Sequence, residues 1–193
     1  MNLMFPLVHP LKLWYSTHMN IKLNISDSRI QPEDFLVLTE IIKGSKIKYE
    51  VDEESGLLAL DRILSTSLRY PVNYGFIPNT LSEDGDPLDA FILCDEELLP
   101  MTLVRCAPIG VIEMIDNGER DEKIIAIPLH KNSPHKHLKD INDIPTHITR
   151  EIMHFLRVYK DLEKENVVEV KDLLPKKQAL KIIAEAKQRF AAQ

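Results

Sequence analysis

The chain has 193 residues, of which 44% are hydrophobic and 28% charged, and its formal net charge is −6. That length and composition suit one globular domain with a full apolar core. The acidic balance argues against a general nucleic-acid binder, whose surface is ordinarily basic, and no apolar run approaches the roughly 18 residues that a membrane span needs.

The first residues, "MNLMFPLVHPLKLWYSTHMN", are apolar but broken by Pro6, His9, Pro10 and Lys12. They lack a basic leading region and a small-residue cleavage site, so they make a poor signal peptide. Met19 offers a second start. Residues 1–18 are therefore read as an extension outside the core, and residues 19–193 as a single domain.

Strand signals fill the next two thirds. "FLVLTEII" (35–42) has the make-up of a buried strand. In "KIKYEV" (46–51), Ile47, Tyr49 and Val51 alternate with Lys48 and Glu50, the period of a two-faced strand. "EESG" then reads as a turn and "LLALDRIL" (57–64) as the returning strand. "LDAFILC" and "LVRCAPIGVIEMI" follow, with Pro108 and Gly110 marking a bulge or bend in the second. Asn117-Gly118 is a strong hairpin turn, with "EKIIAIP" (122–128) expected as the partner strand. Cys94 and Cys106 lie in these apolar runs without metal or redox spacing. They read as buried reduced thiols, which fits a reducing cytoplasm.

Helix signals come late. "NDIPTHITREIMHFLRVYKDLEKE" opens with the capping residues Asn142 and Asp143 and an early Pro145. Ile148, Ile152, Phe155, Tyr159 and Leu162 then recur at three- and four-residue steps, one face of a helix. "PKKQALKIIAEAKQRF" (175–190) gives a second helix with Ala179, Ile183, Ala186 and Phe190 as its stripe. Strands followed by two helices predict an α+β, mainly β fold: a small closed five-stranded OB-like barrel with two C-terminal helices packed outside.

The polar residues raise a question of charge. Asp84, Asp86 and Asp89 fall within "SEDGDPLDAF". Carboxylates that close stay ionised together only if cations hold them or water solvates them. Taken alone, the triplet fits a solvated acidic turn. An EF-hand fits poorly, because Pro87 and Leu88 stand where a calcium loop wants oxygen ligands or glycine. "HKNSPHKH", with His130, His135 and His137, reads as a solvated loop, since no nearby carboxylate or cysteine in the sequence completes a metal site. Lys48 and Glu50 share a strand face, Arg62 ends the next strand, and Tyr70 and Tyr74 bracket "YPVNYG". Asp116, Asp121 and Lys123 flank the Asn-Gly turn, and Tyr159 and Lys160 fall on the first predicted helix. If these converge, carboxylates suited to Mg²⁺ or Mn²⁺ meet cations suited to phosphate. Those are the parts of a phosphoryl-transfer site.

These residues carry a resemblance. "DGDPLDA" (84–90) is similar to the signature of the soluble inorganic pyrophosphatases, Mg²⁺-dependent family I, bacterial type. The other motifs follow in that family's order: "KYE" (48–50), "DR" (61–62), "YPVNYGFIPNT" (70–80), "GVIEMID" with "DEK" (110–123), and "HFLRVYKDLE" (154–163). The resemblance implies hydrolysis of pyrophosphate to two orthophosphates by in-line attack of a metal-bridging hydroxide, with several Mg²⁺ ions per site and Mn²⁺ or other divalent ions as substitutes. It implies metal binding by Asp84, Asp89, Asp116, Asp121 and Glu50, with Glu40 as an outer acid. Asp86 would be the base. Lys48, Arg62, Tyr74, Lys123, Tyr159 and Lys160 would hold phosphate, and Asp86, Arg62, Lys48 and Tyr74 would act in the reaction itself. A homo-oligomer, a hexamer by the same resemblance, is expected in the cytoplasm, with the helix that carries Met153, His154 and Phe155 as one contact face and no nucleic-acid or membrane partner. Two departures stand out: Asn117, where a second acid often follows Asp116, and Val158, where bacterial relatives often carry a polar residue. A nucleic-acid-binding OB-like barrel and a phosphohydrolase of broader range are the alternatives. The first wants a basic groove with stacking aromatics, and the second a base-binding slot.

Overall fold

The computed structural model describes residues 25–52, 54–163 and 167–193. The expectations for residues 1–18 and for Met19 lie outside the described residues. The chain forms β1 (Phe35–Ile41), β2 (Ile47–Val51), β3 (Leu58–Ile63), β4 (Asn73–Ile77), β5 (Leu88–Ile92), β6 (Leu103–Asp116), β7 (Glu119–Arg120), β8 (Lys123–Pro128), α1 (Thr146–Val158), β9 (Val168–Pro175) and α2 (Lys176–Ala191).

Five strands close on themselves. The hydrogen-bonded order runs β1–β4–β5–β8–β6, and β6 pairs again with β1 through Phe35 opposite Cys106. Only the β5–β8 ladder within this ring is parallel. The fold is thus mainly β, a ring of five strands with two helices, as the sequence leads one to expect. Alternate side chains of the same strands serve two cores. Phe91, Ile125 and Ile127 pack with Ile152 and Phe155 of α1. Ala90, Ile92, Ile124 and Ala126 pack with Ala179, Ile183 and Ala186 of α2. Burial on both faces explains why β1 and β8 read as continuous apolar runs rather than as alternating ones.

The bulge expected near Pro108 and Gly110 is present, where the β6–β8 register shifts. Asn117 and Gly118 both take positive φ, as a type I′ turn requires. The immediate partner in that hairpin is the two-residue β7, while β8 pairs farther back along β6, from Cys106 to Ile112. Several expectations are corrected. Residues 73–77 form a strand, although the prolines at 71 and 78 disguise it. β9 lies between the two helices and pairs with β6, so the helices do not follow all the strands. Helix α1 ends at Val158, which leaves Tyr159 as its cap, Lys160 in the turn beyond and Leu162 exposed rather than on a buried stripe. The capping side chains belong to the short 3₁₀ turn Ile141–Asp143, where Asp140 and Asp143 cap each other's backbone. Both cysteines are free, but only Cys106 is fully buried; Cys94 is half-buried. Among the described residues, no helix is long and apolar enough to cross a membrane.

The ring is tight where β4 crosses β1. A Cβ added at Gly75 would collide with the Leu38 carbonyl oxygen and lie 2.8 Å from Thr39 Cα. Both are backbone atoms of a strand held on two sides, so neither can yield cheaply. Gly75→Ala should therefore destabilise at or above the upper end of the ~1–3 kcal/mol typical of overpacking. Urea unfolding followed by circular dichroism checks this; an unchanged midpoint would mean that β1 and β4 separate freely.

Candidate active site

The site sits at one end of the ring, under the β2–β3 hairpin. Its central pair comes from register. Asp89 on β5 stands beside Lys123 on the parallel strand β8, and the Lys123 ammonium donates to both Asp89 and Asp121. Lys123 is only 5% exposed. Burial works against its charge, but the Asp89 and Asp121 carboxylates outweigh burial and raise its pKa. The Lys123 ammonium also lies 5.9 Å from the Tyr74 ring centre.

The aspartate loop is fixed at its base by Thr80. The Thr80 hydroxyl donates to Ile77 O and accepts the Leu88 N–H at 2.9 Å, which joins the end of β4 to the start of β5. Gly85 supplies the positive φ of the loop, +95°. Asp84 Oδ1 accepts the Asp86 N–H at 3.0 Å. The effect is to tuck Asp84 and Asp89 inward while Asp86 stays exposed. Burial pushes the Asp84 carboxyl up to about 6. Asp121 is raised as well, by burial first and by its acidic neighbours Asp89 and Asp116, against the pull of Lys123.

Across the cavity, the turn after α1 brings Lys160 to Asp116, where its ammonium donates to Oδ2. Asp116 Oδ1 is buried and has no hydrogen-bond partner. The hairpin contributes the third group. Lys48 donates to Glu50 and lies 2.9 Å from Asp61. Arg62 bonds Asp61 at 2.9 Å and reaches Glu163 at 2.8 Å. Beneath these charges, Tyr70, Tyr74, Phe155 and Tyr159 form an aromatic floor with ring centres 4.8–5.6 Å apart. Burial holds the three tyrosine hydroxyls protonated, with Tyr74 raised further by Asp89 and Asp121.

All of the predicted residues, Lys48, Glu50, Arg62, Tyr74, Asp84, Asp86, Asp89, Asp116, Asp121, Lys123, Tyr159 and Lys160, line one cavity of about 580 Å³. Glu40 and Tyr70 line it too. Burial pushes the Glu40 carboxyl up to about 8. Asp61 and Glu163, the carboxylates that align Lys48 and Arg62, are not among the expected site residues. Asp61 was visible as the neighbour of Arg62, but Glu163 becomes a partner only through a contact spanning about a hundred residues. Asn117, the departure from an acid, has a structural use: its side-chain oxygen accepts the Val167 N–H at 3.1 Å and its own N–H bonds Val167 O at 2.9 Å. It thereby clamps the approach to β9 beside Asp116.

The chemistry available is that of a cavity crowded with carboxylates and cations. Among the described residues, no three of His, Cys, Asp and Glu gather closely enough to grip one ion. Lys123 stands between Asp89 and Asp121 instead. The orphaned oxygen of Asp116 and the raised carboxyls of Asp84 and Asp121 nevertheless fit hard cations, since each gains from added positive charge. The histidine loop does not join this site. Contrary to expectation a carboxylate does approach it, Asp95 at 3.3 Å from His135 Nε2, but His137 turns away to Pro134 O.

Residues 37–191 match the family model described as inorganic pyrophosphatase. The inorganic pyrophosphatase of Xylella fastidiosa is 45% identical over 161 residues, which cover 82% of this chain and 90% of that protein. That of Helicobacter pylori is 44% identical over 155 residues, covering 80% and 90%. A solved inorganic pyrophosphatase from Helicobacter pylori superposes with a TM-score of 0.83 at 42% identity, covering 88% of this chain and 99% of that one. The Thermus thermophilus enzyme gives 0.80 at 38% identity, covering 83% and 92%. With sequence, fold and the contents of the cavity in agreement, the chain belongs to the bacterial-type family I inorganic pyrophosphatases, divalent-metal-dependent enzymes that hydrolyse pyrophosphate to orthophosphate.

Proposed function

We propose that the residues of this cavity divide the hydrolysis of pyrophosphate among three tasks, and that several Mg²⁺ ions serve it, with Mn²⁺ or other divalent ions as substitutes. The observation that carries this reading is the convergence of six carboxylate candidates and four Lys or Arg side chains on one cavity of about 580 Å³. Asp84, Asp89, Asp116, Asp121 and Glu50 hold the ions. Lys48, Arg62, Tyr74, Lys123, Tyr159 and Lys160 hold the phosphate groups. Asp86 is the base.

The substrate carries several negative charges and repels hydroxide. Bound divalent ions supply neutralisation and a water acidic enough to ionise near neutral pH. Asp86 takes the proton of the attacking water, and its exposure lets it pass that proton to solvent. Arg62 grips phosphate oxygens in two-pronged fashion, its plane aligned by Asp61 and Glu163. Lys48 and Lys160 balance the charge that grows on the departing phosphate. The tyrosine hydroxyls, kept protonated, donate to phosphate rather than repel it.

We also infer a homo-oligomer, a hexamer, working in the cytoplasm, where reducing conditions suit two unpaired cysteines. A groove between α1 and β9, lined by His147, Arg150, Met153, His154, Arg157 and Leu173, supports α1 as one contact face. Phe155 is not part of that face: it is 3% exposed and belongs to the core. Val158 is half-buried at the end of the helix. Light scattering at micromolar concentration should give a mass several times the 22.2 kDa of one chain; a monomer would exclude the assembly.

Residues 1–18 we read as dispensable, because every site residue lies in the remainder, 19–193, taken as one domain. A chain beginning at Met19 should keep its activity and melting temperature. A large loss of either would show that the extension packs on the enzyme.

The metal-binding aspartates Asp84 and Asp89 should fail differently from Asp86. Asp89→Asn removes a metal-binding charge, so the Mg²⁺ requirement should rise steeply and activity should return only in part at high Mg²⁺. Asp86→Asn keeps the shape but cannot accept a proton. Loss of a general base typically costs roughly 10²–10⁴-fold in rate, and excess Mg²⁺ should not restore it. The measurement is kcat against Mg²⁺ concentration at several pH values. Full rescue of Asp86→Asn by Mg²⁺ would make Asp86 another ligand rather than the base.

A further inference from the structure

The cavity is assembled from two bodies that share no strand ladder. Asp89, Asp116 and Lys123 stand on ring strands, with Asp121 in the turn before β8. Lys48, Glu50 and Arg62 stand on β2–β3, a separate two-stranded sheet. Something must set the distance between them. At its base the hairpin is held by backbone bonds, Gly44 N–H to Tyr70 O at 2.8 Å and Tyr70 N–H to Ser45 O at 2.9 Å. Farther out, Val51 and Leu58 pack on Leu38 and Phe76 of the ring. Apolar contact of this kind is not directional and permits sliding.

One directional contact lies in the same place. Glu40 Oε1, on β1, accepts the Val51 N–H of β2 at 2.9 Å. Glu40 is 6% exposed in a strand whose seven residues are all buried. A carboxyl in such a place is costly unless it does something an apolar side chain cannot. What it does is satisfy the outward N–H of a strand that has no ladder on that side, at a point one residue from Glu50 and three from Lys48.

We propose that Glu40 is a positioning residue: its bond to Val51 fixes the hairpin, and with it Lys48 and Arg62, at the spacing from the ring aspartates that pyrophosphate requires. The proposal rests on the reading of Lys48 and Arg62 as phosphate ligands. Misplacing such groups by about an ångström costs up to 10²-fold, so a bond acting only through geometry has a large effect to exert.

The test compares Glu40→Ala, which removes the acceptor, with Glu40→Gln, which keeps an oxygen in the same place without a charge. Hydrogen exchange at the Val51 amide reads the tether directly, with the amides of Ile124 and Ala126 as a control for the ring. In Glu40→Ala, Val51 should exchange at least about tenfold faster while the ring stays protected, and KM for pyrophosphate should rise roughly 10- to 100-fold. Glu40→Gln should be close to the parent in both. A Val51 amide that stays protected in Glu40→Ala, or a KM in Glu40→Gln as poor as in Glu40→Ala, overturns the proposal. Should Glu40→Ala fail to fold, Glu40→Gln decides alone: a KM near that of the parent supports the tether and a tenfold rise excludes it. Lys48→Ala and Arg62→Ala separate the underlying reading. If their KM is unchanged, they are not phosphate ligands, whatever Val51 does.

Discussion

Everything in this molecule turns on keeping many carboxylates together in a half-buried space. Asp84, Asp89, Asp116 and Asp121 face one cavity, and burial, with the acids beside them, raises the pKa of Asp84 and of Asp121. Such a cluster persists only with matching positive charge. The chain supplies part of it. Lys123 serves Asp89 and Asp121, Lys160 serves Asp116, and Lys48 serves Glu50 and Asp61. Buried pairs of this kind contribute little net stability, since desolvation consumes most of the Coulomb gain. Their value lies in placing both signs of charge within reach of a substrate that needs both.

The ring exists to make that placement reproducible. A parallel register puts Asp89 beside Lys123. The β6–β7 turn sets Asp116 two residues short of Gly118, and the antiparallel pairing of β6 with β8 returns the chain to Lys123. Two cores lock the strands from opposite faces, one under each helix. Side chains on such strands move less than side chains on loops, which suits a reaction whose catalysis is chiefly positioning and electrostatics. The loop that must present Asp86 to solvent is correspondingly pinned at both ends by Thr80.

What the sequence disclosed follows from this division. β1, β5, β6 and α2 were legible because burial writes itself into composition and period. The aspartate triplet was legible because like charges so close in sequence need an explanation. β4 was not, because Tyr70-Pro71 and Pro78 frame it with turn signals while its own residues are buried on both faces. β9 was legible in principle: Val168 and Val170 alternate with Glu169 and Lys171, and their half-buried and exposed pattern matches. The helical run before it extended the helix reading too far and hid that alternation. Asp61 and Glu163 belong to a different class. Their function is a contact between distant segments, and no local period records such a contact.

The ion pairs also bear on how a highly charged substrate enters. Lys123 and Lys160 are at once partners of the aspartates and, on the proposed reading, ligands of phosphate. Pyrophosphate arriving with divalent ions then brings each side of every pair a replacement of the right sign: cations for the carboxylates, phosphate oxygens for the ammonium groups. The protein's own charges exchange one partner for another, so the desolvation of those side chains, already expended in folding, is not expended again on binding. An apolar cavity of equal size would have to strip water from substrate and ions with nothing to offer in return. A site of free carboxylates alone would hold the ions but repel the anion. Interleaving lysine with aspartate on adjacent strands avoids both, and the strand-to-strand spacing of a sheet is what makes the interleaving possible.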